Sequence, residues 1–127
     1  MATTLPASKI LLVEDDPFLG GMYVTKLELE HFEVSLATDG ESGIEQAKSF
    51  RPDLILLDIL LPKKDGFSVL KELKADPVTM GIPVILLTTL GQKQDVVKGL
   101  DAGDVDYLIK AHFLPSEVIA NIKDHLH

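Results

Sequence analysis

The chain of 127 residues is long enough for one domain with a sizeable core, and its 46% hydrophobic and 25% charged residues are typical of a soluble globular protein. It contains no cysteine, which excludes disulfides, a thiolate nucleophile and sulfur-based zinc sites. Its apolar runs are too short to span a bilayer, and a formal net charge of −8 disfavours direct nucleic-acid binding. We therefore expect a cytoplasmic protein that contacts neither membranes nor nucleic acid directly.

Strands and helices are predicted to alternate along the chain after a short flexible leader over residues 1–8. Apolar or alternating segments predict strands at residues 9–13, 32–37, 53–57, 82–87 and 105–109. Helices are predicted between and after them: one capped by Asp16, one that opens at Asp39 and Gly40 and continues to Phe50, one that carries Phe67 and ends near Asp76, one over residues 92–100 and one from Pro115.

Five strands that alternate with five helices indicate an α/β domain with a parallel sheet. A barrel of eight such units needs about twice this length. We therefore predict a flavodoxin-like, doubly wound (βα)5 domain over residues 9–127, with the five-stranded parallel sheet in the order 2-1-3-4-5 and helices on both faces.

Polar side chains follow every predicted strand at the sheet edge where ligands bind in such folds, and those after four of the strands form the candidate site. They are Glu14, Asp15 and Asp16 after the first strand, Asp58 after the third, Thr88 after the fourth and Lys110 after the fifth. Carboxylates brought together repel one another, and a hard divalent cation such as Mg²⁺ relieves that repulsion. A hydroxyl and a lysine beside the metal suit a phosphoryl group. The set predicts phosphoryl transfer to an aspartate nucleophile, for which Asp58 is the best candidate.

Four motifs at this spacing resemble the receiver domain of two-component response regulators, including the chemotaxis regulators. They are LLVEDDP at residues 11–17, DLILLDILLPKKDG at 53–66, PVILLTT at 83–89 and AGDVDYLIK at 102–110. Each motif is weak alone, but the four in order are specific. The resemblance extends from about Lys9 to the last residue.

The resemblance implies a metal-dependent phosphoacceptor. It makes Asp58 the phosphoacceptor and a metal ligand, Asp15 a direct ligand and Glu14 a ligand through water, with the backbone carbonyl of Leu60 completing the protein ligands. Asp16 becomes the helix cap and only a minor ligand candidate. The implied metal is Mg²⁺, with Mn²⁺ as a substitute.

The resemblance also assigns residues that bind the phosphoryl group and report its presence. Thr88 and Lys110 would bind the group, and Thr88 and Tyr107 would form the switch. One departure is Ala111, which follows the lysine where the family usually has proline. A cis peptide before a residue other than proline costs about 2.5–4 kcal/mol, so the conformation of the bond between Lys110 and Ala111 stays open.

The function implied is signalling rather than turnover of an external substrate. A sensor histidine kinase or a phosphotransfer protein would phosphorylate Asp58, and the receiver would then change its contacts with an unknown output protein or domain. Receivers of this kind act as monomers or as homodimers formed on phosphorylation. The alternative is a degenerate receiver that binds proteins without being phosphorylated.

Overall fold

The structure is a computed structural model that describes residues 8–58, 61, 66–88 and 105–109, with only the backbone described at residues 88 and 105–109. Eight elements lie in these ranges. They are β1 Lys9–Val13, α1 Pro17–Leu29, β2 Glu33–Ala37, α2 Gly40–Phe50, β3 Leu54–Asp58, α3 Gly66–Ala75, β4 Val84–Thr88 and β5 Val105–Ile109.

All five strands pair in parallel, in the order β2-β1-β3-β4-β5. The predicted order is thus confirmed. β1 lies between β2 and β3, with Val13 opposite both Ala37 and Leu57. The chain reverses its winding between β1 and β3, so the carboxyl ends of these two strands form the crevice where such sheets bind ligands.

Each central strand contributes to a separate core on each face of the sheet, because successive side chains of a strand point to opposite faces. Leu11 and Val13 belong to the core that includes α2 and α3, whereas Ile10 and Leu12 belong to the core beneath α1. Helices on both faces are therefore confirmed for the described elements. Burial on both sides explains why β1 and β3 read as continuous apolar runs.

Aspartates cap the first two helices, as the sequence predicts. Oδ1 of Asp16 accepts hydrogen bonds from the backbone N–H groups of Phe18 at 2.9 Å and Leu19 at 3.3 Å. Oδ1 of Asp39 accepts one from the N–H of Ser42 at 2.8 Å. These bonds satisfy N–H groups that have no partner within the helix.

A glycine lets α2 lie directly against the end of β1. A Cβ atom at Gly43 would lie 3.0 Å from Cγ2 and 3.1 Å from Cγ1 of Val13. Both residues are buried. The contact joins α2 to Val13, the residue that immediately precedes the acidic segment Glu14–Asp16.

Three predicted strands have boundaries that are off by one or two residues, including the end of β4, which is Thr88 rather than residue 87. β2 begins at Glu33 rather than at residue 32. β3 begins at Leu54 rather than at residue 53 and includes Asp58. β4 begins at Val84 rather than at residue 82, because Pro83 has no N–H to donate to the sheet, although its carbonyl accepts from Ile55 at 3.0 Å.

Other predicted segments lie outside the described residues. These are the helices over residues 92–100 and from Pro115, and the leader apart from Ser8. The Ser8 carbonyl accepts from the N–H of Glu33 at 2.9 Å. None of the helices in the described part of the chain is long and apolar enough to cross a membrane.

Candidate functional site

Three of the predicted acids meet at the carboxyl end of the sheet. One carboxylate oxygen from each of Glu14, Asp15 and Asp58 lies within 4.8 Å of the other two. Glu14 and Asp15 directly follow β1, and Asp58 is the last residue of β3, which pairs with β1. The parallel register therefore brings together acids that lie more than forty residues apart in sequence.

Two of the three acids are removed from solvent. Glu14 is 1% exposed and Asp58 is 4% exposed, whereas Asp15 is exposed. The N–H of Glu14 donates to the carbonyl of Ala37 at 2.9 Å, which continues the β1–β2 pairing by one residue and fixes the backbone of Glu14. Carboxylates this close to one another in a partly buried site favour a bound cation.

Asp16 lies beside this cluster but is not one of its three members. Its carboxylate caps α1, and its N–H donates to Oε2 of Glu14 at 3.4 Å. The structure thus separates three consecutive acids by role: a buried one and an exposed one in the cluster, and one in the helix cap. This agrees with the expected cap role of Asp16.

The cluster is chemically suited to a hard divalent cation. All its side-chain donors are carboxylate oxygens, which Mg²⁺ and Mn²⁺ prefer over the nitrogen and sulfur ligands of zinc sites. Magnesium binds oxygen at about 2.1 Å, so its ligands lie about 3–4 Å apart. Oxygens within 4.8 Å of one another can therefore contact one ion directly or through a bound water.

The strand pairing places the backbone of the predicted phosphoryl-binding and switch residues near this edge. Asp58 pairs with Leu87, so Thr88 lies one residue further along β4 at the same end of the sheet. Tyr107 lies in β5 opposite Leu86. The side chains of Thr88 and Tyr107 are outside the described part of the structure.

Two further predicted site residues lie outside the described residues. They are Leu60, whose carbonyl is an expected ligand, and Lys110, which follows the last residue of β5. The peptide bond between Lys110 and Ala111 is outside them too.

The sequence predictions did not single out Phe18, whose side chain is 80% exposed on the first turn of α1. This turn begins directly after the acidic segment. The buried face of α1 carries Gly20, Tyr23 and Leu27 at helical spacing, and Phe18 is off that face. The same periodicity, read from the sequence, indicates an apolar residue that points to solvent beside the site.

Sheet order and acid cluster together define the class of this protein. It is a flavodoxin-like domain whose switch point carries a cluster of three carboxylates, one of them from the aspartate that ends β3. The family model of the response regulator receiver domain matches residues 10–123. The chain belongs to this family, as the sequence motifs predict.

Among curated proteins, the chain resembles the DNA-binding dual master transcriptional regulator RpaA of Synechocystis. The two are 43% identical over 115 residues, which are 91% of this chain and 47% of RpaA. The chain thus spans about half the length of this relative, and the same holds for several others. The match therefore concerns the receiver part of a longer regulator.

Solved structures agree with the fold and with the family. The receiver domain of the sensor histidine kinase PA1611 from Pseudomonas aeruginosa, solved with a magnesium ion coordinated in its active-site cleft, aligns with a TM-score of 0.84 and 32% identity over 94% of this chain and 98% of that one. The chemotaxis protein CheY4 of Vibrio cholerae aligns with a TM-score of 0.86 and 26% identity over 94% of this chain and 99% of that one. The predicted likeness to chemotaxis regulators is confirmed.

Proposed function

We propose that Asp58 accepts a phosphoryl group from the phosphohistidine of a sensor histidine kinase or a phosphotransfer protein. A carboxylate oxygen of Asp58 forms a bond to phosphorus, the P–N bond of the donor breaks, and its electron pair returns to the imidazole nitrogen. The observation that carries the proposal is the position of Asp58 at the end of β3, 4% exposed and grouped with Glu14 and Asp15. The rigid strand end holds the nucleophile in a fixed place.

We infer that Glu14, Asp15, Asp58 and the Leu60 carbonyl hold Mg²⁺, with Mn²⁺ as a substitute. The bound ion would neutralise charge on the oxygens of the transferring phosphoryl group. The three carboxylates would supply the negative charge that balances the ion, and Asp15 lies on the solvent-exposed side of the cluster.

We propose that Thr88 and Lys110 bind the phosphoryl group and that Thr88 and Tyr107 form the switch. The Thr88 hydroxyl donates a hydrogen bond to a phosphoryl oxygen, and the Lys110 ammonium pairs with its charge. Movement of Thr88 towards the phosphate leaves space into which Tyr107 turns. This change alters the face formed by the fourth helix, the fifth strand and the fifth helix, which an output protein or domain reads.

We further propose that residues 9–127 form one receiver domain that is cytoplasmic and acts on itself rather than turning over an external substrate. RpaA is described as DNA-binding, but the net charge of −8 on this chain favours protein contacts over direct nucleic-acid contacts. Homodimerisation on phosphorylation is part of the proposal. No observation favours the alternative of a degenerate receiver, since the acids needed for phosphorylation are present and grouped.

Mass spectrometry after incubation with acetyl phosphate and Mg²⁺ tests the assignment. The wild type should gain one phosphoryl group, and Asp58→Asn should gain none. Asp53→Asn is a matched control, because Asp53 is exposed at the opposite end of β3, where its carboxylate accepts from the N–H of Lys9 at 2.7 Å. An unmodified wild type, or an undiminished adduct in Asp58→Asn, would refute the proposal.

Magnesium alone should raise the melting temperature at neutral pH, because a ligand that binds the folded state stabilises it by mass action. Replacing Asp15 by Asn should reduce this increase, since it removes one of the three clustered carboxylates. An unchanged melting temperature at millimolar magnesium would contradict the metal site.

A further inference from the structure

The first turn of α1 forms one wall of the acid cluster. The N–H of Asp16 donates to Oε2 of Glu14 at 3.4 Å. In the same turn, a Cβ atom at Gly20 would lie 3.8 Å from Cγ of Glu14. The Glu14 side chain therefore lies against the start of α1.

The side chain of Asp16 holds this turn closed. Its Oδ1 accepts from the N–H groups of Phe18 and Leu19, and its carbonyl accepts from the N–H of Gly20 at 2.8 Å. The backbone of Asp16 is extended, with φ of −77° and ψ of 112°. Because one residue both caps the helix and donates to Glu14, the cap determines where that N–H points.

We propose that Asp16 is a positioning residue for the cation: its capped backbone orients the Glu14 carboxylate, and its own carboxylate is not a ligand. This rests on the magnesium site proposed above. A buried glutamate with several rotatable bonds has more than one way to direct its carboxylate, and a donor fixed by the helix cap favours one of them. Metal affinity then depends on the cap as well as on the ligands.

Two substitutions of Asp16 distinguish a residue that positions Glu14 from one that binds the metal ion directly. Asparagine caps a helix about as well as aspartate but lacks its charge, whereas alanine does not cap. Asp16→Asn should therefore weaken the affinity for Mg²⁺ by only about twofold to threefold, because an exposed charge that does not contact the ion acts on it through water of high dielectric constant. Asp16→Ala should weaken it about tenfold, as is typical when a group that orients a metal ligand is lost.

A matched control is Asp39→Ala, which removes the equivalent cap of α2. Isothermal titration calorimetry with MgCl₂ measures affinity, and thermal unfolding without metal measures the cost of each cap. Asp16→Ala and Asp39→Ala should lower the melting temperature by similar amounts. Only Asp16→Ala should lose affinity for Mg²⁺.

Several outcomes would overturn the inference. Equal loss of affinity in Asp16→Asn and Asp16→Ala would make Asp16 a ligand. If the alanine variant fails to fold, a loss of about tenfold or more in Asp16→Asn alone would lead to the same conclusion. Wild-type affinity in a folded Asp16→Ala, or an equal loss in Asp39→Ala, would show that the cap does not position Glu14. If the wild type itself binds no Mg²⁺, the proposed metal site fails, and the inference fails with it.

Discussion

Substitution of Gly43 by alanine tests the contact between α2 and β1. The new Cβ would lie 3.0 and 3.1 Å from the two Cγ atoms of Val13, closer than carbon atoms normally approach. Val13 is fully buried and β-branched, so its side chain has little freedom to rotate away. Overpacking of this kind costs about 1–3 kcal/mol. The higher helix propensity of alanine offsets up to about 1 kcal/mol of this loss. We expect a net loss of about 1 kcal/mol in the free energy of unfolding.

Urea denaturation followed by far-UV circular dichroism measures this loss, provided that the m-value is unchanged. Gly21→Ala is the matched control, since Gly21 is also within a helix but exposed, and a Cβ there meets nothing within 4 Å. It should stabilise the protein by up to about 1 kcal/mol. The free energies of unfolding of the two variants should therefore differ by about 2 kcal/mol, although both variants replace a helical glycine by alanine.

A Gly43→Ala variant as stable as the wild type, or more stable, would contradict a clash with Val13, because the Val13 side chain would then move aside without loss of stability. A double-mutant cycle adds a second test. Val13→Ala removes both crowded methyl groups, so Gly43→Ala should be less destabilising in that background than in the wild type. Additive effects of the two changes would mean that the clash is not the cause.

Two further predictions concern an ion pair and an exposed aromatic residue. A hydrogen bond from the N–H of Val78 and the adjacent Lys48 keep the pKa of Asp76 below its ordinary value of 3.8. These two interactions stabilise the folded protein fully at pH values above 3.8, and this stabilisation is lost as the pH falls through the lower pKa of the folded state. Asp76→Asn should lower the melting temperature at neutral pH, and a gap from the wild type that did not narrow at low pH would contradict this. Phe18→Ala should slow phosphotransfer from a phosphorylated histidine kinase about fivefold or more but not from acetyl phosphate, because an exposed aromatic beside the site suits a protein contact. The control Leu29→Ala, 66% exposed at the other end of α1, should change neither rate, and equal effects of the two variants would count against that contact.

Much of the architecture is evident in the sequence because its signals are local. Apolar runs that end at turn residues predict the strands, and aspartates before Pro17 and Gly40 predict where two helices begin. Strand alternation and right-handed connections restrict the topology to few arrangements, and the predicted order is the one observed. The sequence also predicts that acids lie at the carboxyl ends of β1 and β3.

Only the tertiary structure decided which of those acids are buried and which of them meet in one cluster. Glu14, Asp15 and Asp16 are consecutive, and their local chemistry is nearly the same. Pairing of β1 with β2 and β3 buries Glu14 beside Asp58, and the turn into α1 leaves Asp15 exposed within the cluster and Asp16 in the cap. The contact that requires Gly43 also joins segments distant in sequence. Periodicity and capping report on neighbours along the chain, whereas burial and close approach depend on which elements pack together.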